Sequence, residues 1–229
     1  MIKVKHPNSK HYNWLVYRIN HKIFHGLSNH LKGTLYDFGC GEKPYRPYIE
    51  QFVDEYIGID WSNTAHNSKA DIIADLNKPL SVADGVADSA ISISVMEHLS
   101  EPSVFLSEAY RLLRPNGTFV MQVPFQWHIH EAPYDFYRYT PYGLKHLFQK
   151  AGFQEVEIVP CGGFFSTMAL KLNYFSLRFI KGPQLLKSLV KLLLFPFWYL
   201  TQLSAILLDV LDRNQTKETI GYWVVARKA

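Results

Sequence analysis

Cysteine is scarce in this 229-residue chain: Cys40 and Cys161 are its only two. They lie far apart and form no C-x-x-C spacing, which argues against a structural zinc site and leaves a reducing cytoplasm as the default setting. Charge of one sign is in short supply too. The formal net charge is +4, no basic stripe runs along the chain, and neither feature points to nucleic acid. The first ten residues, MIKVKHPNSK, lack the apolar stretch of a secretory leader. No repeat and no low-complexity tract is present. What the chain does have is aromatic side chains, 15% of the total, a share that disorder would not carry. Its length suits one domain with a decorated periphery.

Periodicity predicts alternating helices and strands. Leu15, Ile19, Ile23, Leu27 and Leu31 recur every four residues and mark a helix over 11–32, closed by Gly33. Strands are expected at 35–38, 56–60, 71–76, 88–95, 118–124, 153–160 and 220–228. Helices are expected at 45–53, 104–113 and 140–152, the last with Thr140 as N-cap and Pro141 at its first position. Pro115-Asn116-Gly117 reads as a turn. This alternation implies a mostly parallel sheet. Strands six and seven have no ordinary crossover helix between them, so they pair antiparallel around a long excursion. The whole of 1–229 is read as one domain, with 1–33 as a helical cap and 161–219 as an apolar helical insertion.

The most informative stretch is LYDFGCGEKPY at 35–45, followed by YIGID at 56–60. An apolar run ends in Asp37, a tight turn carries Gly39 and Gly41, and a second apolar run ends in Asp60. Such a turn lets backbone approach a ligand closely, and the second acid stands where a ribose diol is bound. The third glycine of a dinucleotide turn is missing, because Glu42, Lys43 and Pro44 follow Gly41. That argues against a nicotinamide oxidoreductase, the first competing reading.

In order and spacing, the blocks YDFGCGEKPY, YIGIDWS, DIIADL, SVMEHLSEP, EAYRLLRPNGTFVMQVPF and HEAPYDFYRYTPYGLKHLFQKAGF resemble the class I S-adenosylmethionine-dependent methyltransferases, closest to the type 11 methyltransferase group. The resemblance implies a Rossmann-like α/β fold: a seven-stranded, mostly parallel sheet with an antiparallel last strand. It implies S-adenosylmethionine as cofactor. Gly39 and Gly41 then approach the cofactor, Asp37 favours its positive methionyl end, and Asp60 takes the ribose hydroxyls. Asp75 and the Leu76 amide meet the adenine, and Ser94 to Met96 line the methionyl side. The family pattern usually has glycine where this chain has Lys43.

Methyl transfer to a hydroxyl benefits from a base. In the resembling group a histidine precedes the P-x-D-x-x-R pattern, here Pro133, Asp135 and Arg138, which makes His130 the expected base. His128 and His98 are secondary choices. His128, Tyr134, Asp135 and Arg138 are expected to bind the acceptor. The competing view makes Asp135 and Arg138 a structural ion pair. No metal ligands are identified.

Residues 164–211 are much more apolar than the rest. Gln184, Lys187, Ser188 and Lys191 share one helical face, leucines fill the others, and Pro196 is expected to kink or break the helix. From Leu192 to Leu208 there is no charge, which is marginal for a span. The return of the chain to the sheet argues against a single crossing. An in-plane helix pair on the inner face of the membrane, an acceptor lid and a homodimer interface all suit such helices, and Lys187 and Lys191 favour the membrane surface. The acceptor is expected to be lipid-linked or a bulky small molecule, a surface-glycan sugar, a quinone or another lipid, with oxygen as the accepting atom. A non-catalytic membrane adaptor is the second competitor. Nucleic-acid modification is the third, and the N-P-P-aromatic tetrad of amino methylation is absent.

Overall fold

A computed structural model describes residues 8–62, 68–212, 214–215 and 217–229. Most of the N-terminal segment read for a leader therefore lies outside the described residues. Seven strands form one sheet: β1 Thr34–Phe38, β2 Glu55–Asp60, β3 Ile72–Ile73, β4 Ala87–Ile93, β5 Leu113–Pro124, β6 Glu155–Pro160 and β7 Gly221–Arg227. Their order is β3-β2-β1-β4-β5-β7-β6. The first five are parallel, and β7 runs antiparallel between β5 and β6. This is the expected Rossmann-like arrangement. The order reverses at β1 and β4, so the loops at their carboxyl ends diverge and leave a crevice.

Helices cover both faces. On one side α3 (Pro102–Leu112) and α4 (Pro141–Ala151) bury Phe105, Leu112, Leu144 and Phe148 against Phe38 and Phe119. On the other, α1 (Trp14–Leu27) buries Leu15 and Phe24 against Ile91 and Trp223. Phe24 stacks on Trp223 at 5.4 Å, and the Trp223 indole donates to Asn20 at 2.8 Å. The α4 boundaries follow from its caps. Thr140 Oγ1 accepts from the Gly143 amide, and Gly152 closes the helix at φ 109°, where a side chain is disfavoured.

Several expected elements differ. The helix expected over 45–53 is one turn, α2 (Arg46–Ile49), because Asp54 must already reach the Gly33 carbonyl beside β2. The strand expected over 71–76 shrinks to Ile72–Ile73. Asp75 turns the chain by accepting from the Asn77 amide. Pro115-Asn116-Gly117 does not separate helix from strand but lies inside β5. The register against β4 jumps from Ala87↔Leu113 to Ser89↔Thr118, with Asn116 at φ 63°, a bulge rather than a hairpin turn.

Between β6 and β7 stand α5 (Phe164–Ser176) and α6 (Gln184–Leu208). Pro196 does not break α6, which is continuous across it. One lost hydrogen bond is outweighed by the long flanking turns, and α6 is held from the side. Trp198 Nε1 donates to Ser176 Oγ at 2.8 Å. Gln202 accepts from the Leu15 amide and donates to the His11 carbonyl. Asp209 accepts from the amides of Gly163, Phe165 and Ser166, and Asp212 from that of Phe164. Two carboxylates thus sit at the positive end of α5 and clasp the two ends of the excursion.

Candidate active site

The glycine turn is built on β2. The amides of Gly39 and Cys40 both donate to the Ile59 carbonyl. Gly39 has φ 76°, and a Cβ there would lie 2.3 Å from Val95. Gly41 has φ 51° with open space where a Cβ would project. Its amide donates to Asp60 Oδ2 at 2.8 Å, while Asp60 Oδ1 accepts from the Trp61 amide at 2.7 Å. Each oxygen retains a lone pair for another donor.

Lys43 adopts φ 58°, the left-handed conformation that explains why a glycine suits this position. Its side chain is buried and its ammonium meets Asp71 at 2.6 Å. Asp71 also accepts from the Gly58 amide at 2.7 Å, so this pair pins the turn to β2. Sequence reading missed both roles. The signal was a buried lysine where glycine is the norm.

A cleft of about 1140 Å³ opens at the carboxyl ends of the strands. Gly39, Gly41, Asp60, Asp75, Leu76, Ser94, His98, His130 and Tyr134 all line it. Ser94 has φ 55° and donates through Oγ to Gln122 at 2.6 Å. Asp75 is partly engaged in its own turn with Asn77.

Five expected site residues lie elsewhere. Asp37 is buried beneath the turn, where its carboxylate accepts from the Tyr56 hydroxyl. Burial pushes its pKa up to about 7, against the pull of that hydrogen bond. Met96 is wholly buried in the core and does not reach the cleft, because the 3-10 turn Met96–His98 after β4 points it inward. His128 turns away to stack on Tyr174 at 4.3 Å. Asp135 and Arg138 make the structural ion pair: both terminal Arg138 nitrogens donate to the carboxylate, at 2.6 and 2.7 Å. Asp135 is 2% exposed and also accepts from the His130 amide. The Arg138 hydrogen bonds, helped by the His130 amide and opposed by burial, hold the Asp135 pKa well below the usual carboxylate range. This pair shapes the 128–138 loop from within and leaves little for an acceptor.

That loop is stapled to the turn after β4. The Glu97 carbonyl accepts from the Phe136 and Tyr137 amides, His98 Nδ1 pairs with the Tyr134 carbonyl at 2.7 Å, and the Tyr139 hydroxyl donates to the Met96 carbonyl. His98 and His130 thereby meet edge to face at 4.8 Å. His130 Nδ1 faces Asp135 at 3.4 Å and Nε2 faces Glu97 at 3.8 Å. Burial, with the nearby His98, lowers the His130 pKa and keeps its ring neutral near pH 7. Glu97 itself is fully buried, and burial pushes its pKa up to about 8.

Residues 36–121 match the family described as Methyltransferase domain. A protein of Mycolicibacterium smegmatis named as a probable S-adenosylmethionine-dependent methyltransferase is 27% identical over 115 residues. That match covers 47% of this chain, which spans 45% of the length of that relative. Over this part of its length the chain resembles the S-adenosylmethionine-dependent methyltransferases. In fold the chain is similar to a SAM-dependent methyltransferase from Archaeoglobus fulgidus, with a TM-score of 0.57, 16% identity and 95% of each chain covered. It is also similar to phosphoethanolamine N-methyltransferase 2 of Haemonchus contortus solved with S-adenosylmethionine. The TM-score there is again 0.57 at 16% identity, over 95% of this chain and 56% of that one. At such identities the likeness is one of fold. The residue that sequence reasoning overlooked most clearly is Glu97, hidden inside SVMEHLSEP, where an acid beside a histidine reads as an ordinary turn.

Proposed function

We propose that this protein transfers the methyl group of S-adenosylmethionine to an oxygen of a bulky or lipid-linked acceptor at the cytoplasmic face of a membrane. The observation that carries the reading is convergence: the glycine turn, Asp60 and Asp75–Leu76 open onto the same cleft as His130. The cofactor fits these residues. Asp60 keeps lone pairs for a ribose diol, the left-handed backbone at Gly41 leaves its face open, and Asp75 with the Leu76 amide offers an acceptor and a donor to adenine. Asp37, behind the turn, acts through its field on the cationic end. When bound, S-adenosylmethionine supplies an electrophilic methyl group on a sulfonium. The protein aligns the acceptor oxygen with that group, and alignment supplies much of the acceleration. In this reading His130 Nε2 takes the acceptor proton, with Nδ1 lying 3.4 Å from Asp135 Oδ2.

The acceptor class rests on a second observation. Trp127 lines both the cleft and a neighbouring groove of about 1080 Å³. Phe164, Met168, Leu172 and Phe175 give that groove an apolar wall. An acceptor with an apolar tail lies along it and presents its oxygen in the cleft. The membrane reading rests on α5 and α6. Between Cys161 and Leu208 the five charged side chains, Lys171, Arg178, Lys181, Lys187 and Lys191, are all basic. Leu185, Leu193 and Leu207 are two-thirds exposed or more. The stretch Gln184–Leu211 is long and apolar enough to cross a bilayer. Because Gln202 ties α6 to α1, it lies along the domain, which suits an in-plane contact with an anionic surface.

The test is calorimetric titration of S-adenosylhomocysteine into the wild type and Asp60→Ala. The expected result is binding that weakens at least tenfold in the variant, about 1.4 kcal/mol. Absence of binding by folded wild type overturns the assignment. Labelled S-adenosylmethionine with membrane extracts then identifies the acceptor.

A further inference from the structure

We propose that Glu97, His98 and His130 hold a divalent transition-metal ion on the acceptor side of the cleft. This rests on the methyl-transfer reading for its use, though not for its geometry. Three ligand atoms converge there: Glu97 Oε1 lies 3.7 Å from His98 Nε2 and 3.8 Å from His130 Nε2, and all three fall within 4.8 Å of one another. Ligands about 2.0–2.2 Å from a zinc-like ion are spaced roughly 3.4 Å apart in a tetrahedron. Side-chain rotation that draws the widest pair, no more than 4.8 Å apart, toward that spacing closes the set.

Two independent features point the same way. Neither carboxylate oxygen of Glu97 has a hydrogen-bond partner in another residue, although the side chain is wholly buried. A carboxylate isolated in that way is costly unless a cation meets it. Both imidazoles also present Nε2 inward while Nδ1 faces an outer acceptor, the Tyr134 carbonyl for His98 and the Asp135 carboxylate for His130. Metal-bound histidines are oriented by such outer partners. The Asp135–Arg138 pair, which sequence reading gave to the acceptor, serves as the brace of this arrangement. Glu131 at the rim, 4.0 Å from His98 Nε2, adds negative charge.

Two histidines and one carboxylate favour zinc, manganese or iron over magnesium, which prefers an all-oxygen shell. Three protein ligands leave positions open toward the cleft, so the acceptor class is a hydroxyl with a neighbouring oxygen that reaches the ion together. Held there, the acceptor hydroxyl gives its proton to solvent water. Its electron pair forms the new oxygen–carbon bond while the carbon–sulfur bond breaks, and that pair stays on sulfur as a neutral thioether. His130 then serves as a ligand, and the acidifying role passes from its free ring to the ion.

The experiment titrates Zn2+ and Mn2+ into EDTA-stripped protein by calorimetry, with the Co2+ visible spectrum as a second readout and no S-adenosylmethionine present. One equivalent bound by wild type, weakened at least about 100-fold in Glu97→Gln and in His98→Gln, is expected. S-adenosylhomocysteine titration in EDTA checks that each variant is folded. No stoichiometric binding by wild type that still binds S-adenosylhomocysteine overturns the metal site and leaves His130 as the base. Equal metal binding by Glu97→Gln overturns it as well. Metal binding without S-adenosylhomocysteine binding supports the site and instead overturns the methyl-transfer reading.

Discussion

Lys43 offers the sharpest test of how the cofactor turn is held. It sits at φ 58°, where an ordinary residue carries about 1–2 kcal/mol of strain, yet its side chain is only 5% exposed and its ammonium meets Asp71 at 2.6 Å. Lys43→Ala keeps the strain and loses the rest. Three buried methylenes are worth about 0.8 kcal/mol each. The pair adds roughly 0.5–1 kcal/mol, discounted because Asp71 is 45% exposed. The expected loss is about 3 kcal/mol, a fall in Tm of roughly 6–12 °C for a chain of this size. Lys43→Gly loses the same contacts but relieves the strain, offset by about 0.4–1 kcal/mol of extra chain entropy in the unfolded state. Glycine is therefore expected to be the more stable of the two by about 0.5–1 kcal/mol, the reverse of the usual order. Urea unfolding at neutral pH measures the difference. An alanine variant as stable as the glycine variant would refute the claim that a left-handed backbone governs this position.

Three further outcomes are expected. Asp37, with its pKa raised to about 7 from the ordinary 3.8, holds its proton more tightly folded than unfolded. Its contribution to stability is complete below about pH 3.8 and is lost as pH rises through about 7. Asp37→Asn should flatten the fall in Tm between about pH 4 and 7, and an unchanged slope would assign that fall to another group. Asp209→Ala, which strips three amides of α5 of their acceptor, should cost about 2 kcal/mol in denaturant unfolding. Lys187→Glu with Lys191→Glu should release the protein from anionic vesicles in flotation assays by more than tenfold, at about 1 kcal/mol per basic residue. Equal flotation would remove the membrane reading while leaving the cleft untouched.

Much of the fold was legible because its signals are local. Apolar runs ending in Asp37 and Asp60 and the Thr140-Pro141 cap each depend on a few neighbouring residues, and all appear where expected. The misjudged elements needed distant partners. Whether 45–53 continues as a helix depends on where Asp54 must meet Gly33. Whether Pro196 breaks α6 depends on Trp198 and Gln202 being anchored to α5 and α1. The bulge at Asn116 exists only because β4 lies alongside.

The candidate site divides along the same line. The glycine turn and its acids were readable because a nucleotide-binding half places them on consecutive elements at fixed spacing. The group of Glu97, His98 and His130 was not, although each residue was in plain view. Glu97 and His130 are thirty-three residues apart, and hydrogen bonds that staple the 128–138 loop to the turn after β4 bring them together. Burial, not identity, distinguishes Glu97 from any other acid in a turn. The sequence alone determined a methyltransferase-type sheet and the acids at its strand ends, since periodicity and spacing are properties of the chain. Tertiary structure decided that Asp135 and Arg138 brace a loop, that Met96 belongs to the core, and that two histidines face an unpaired carboxylate, since desolvation and side-chain direction arise only when distant segments pack.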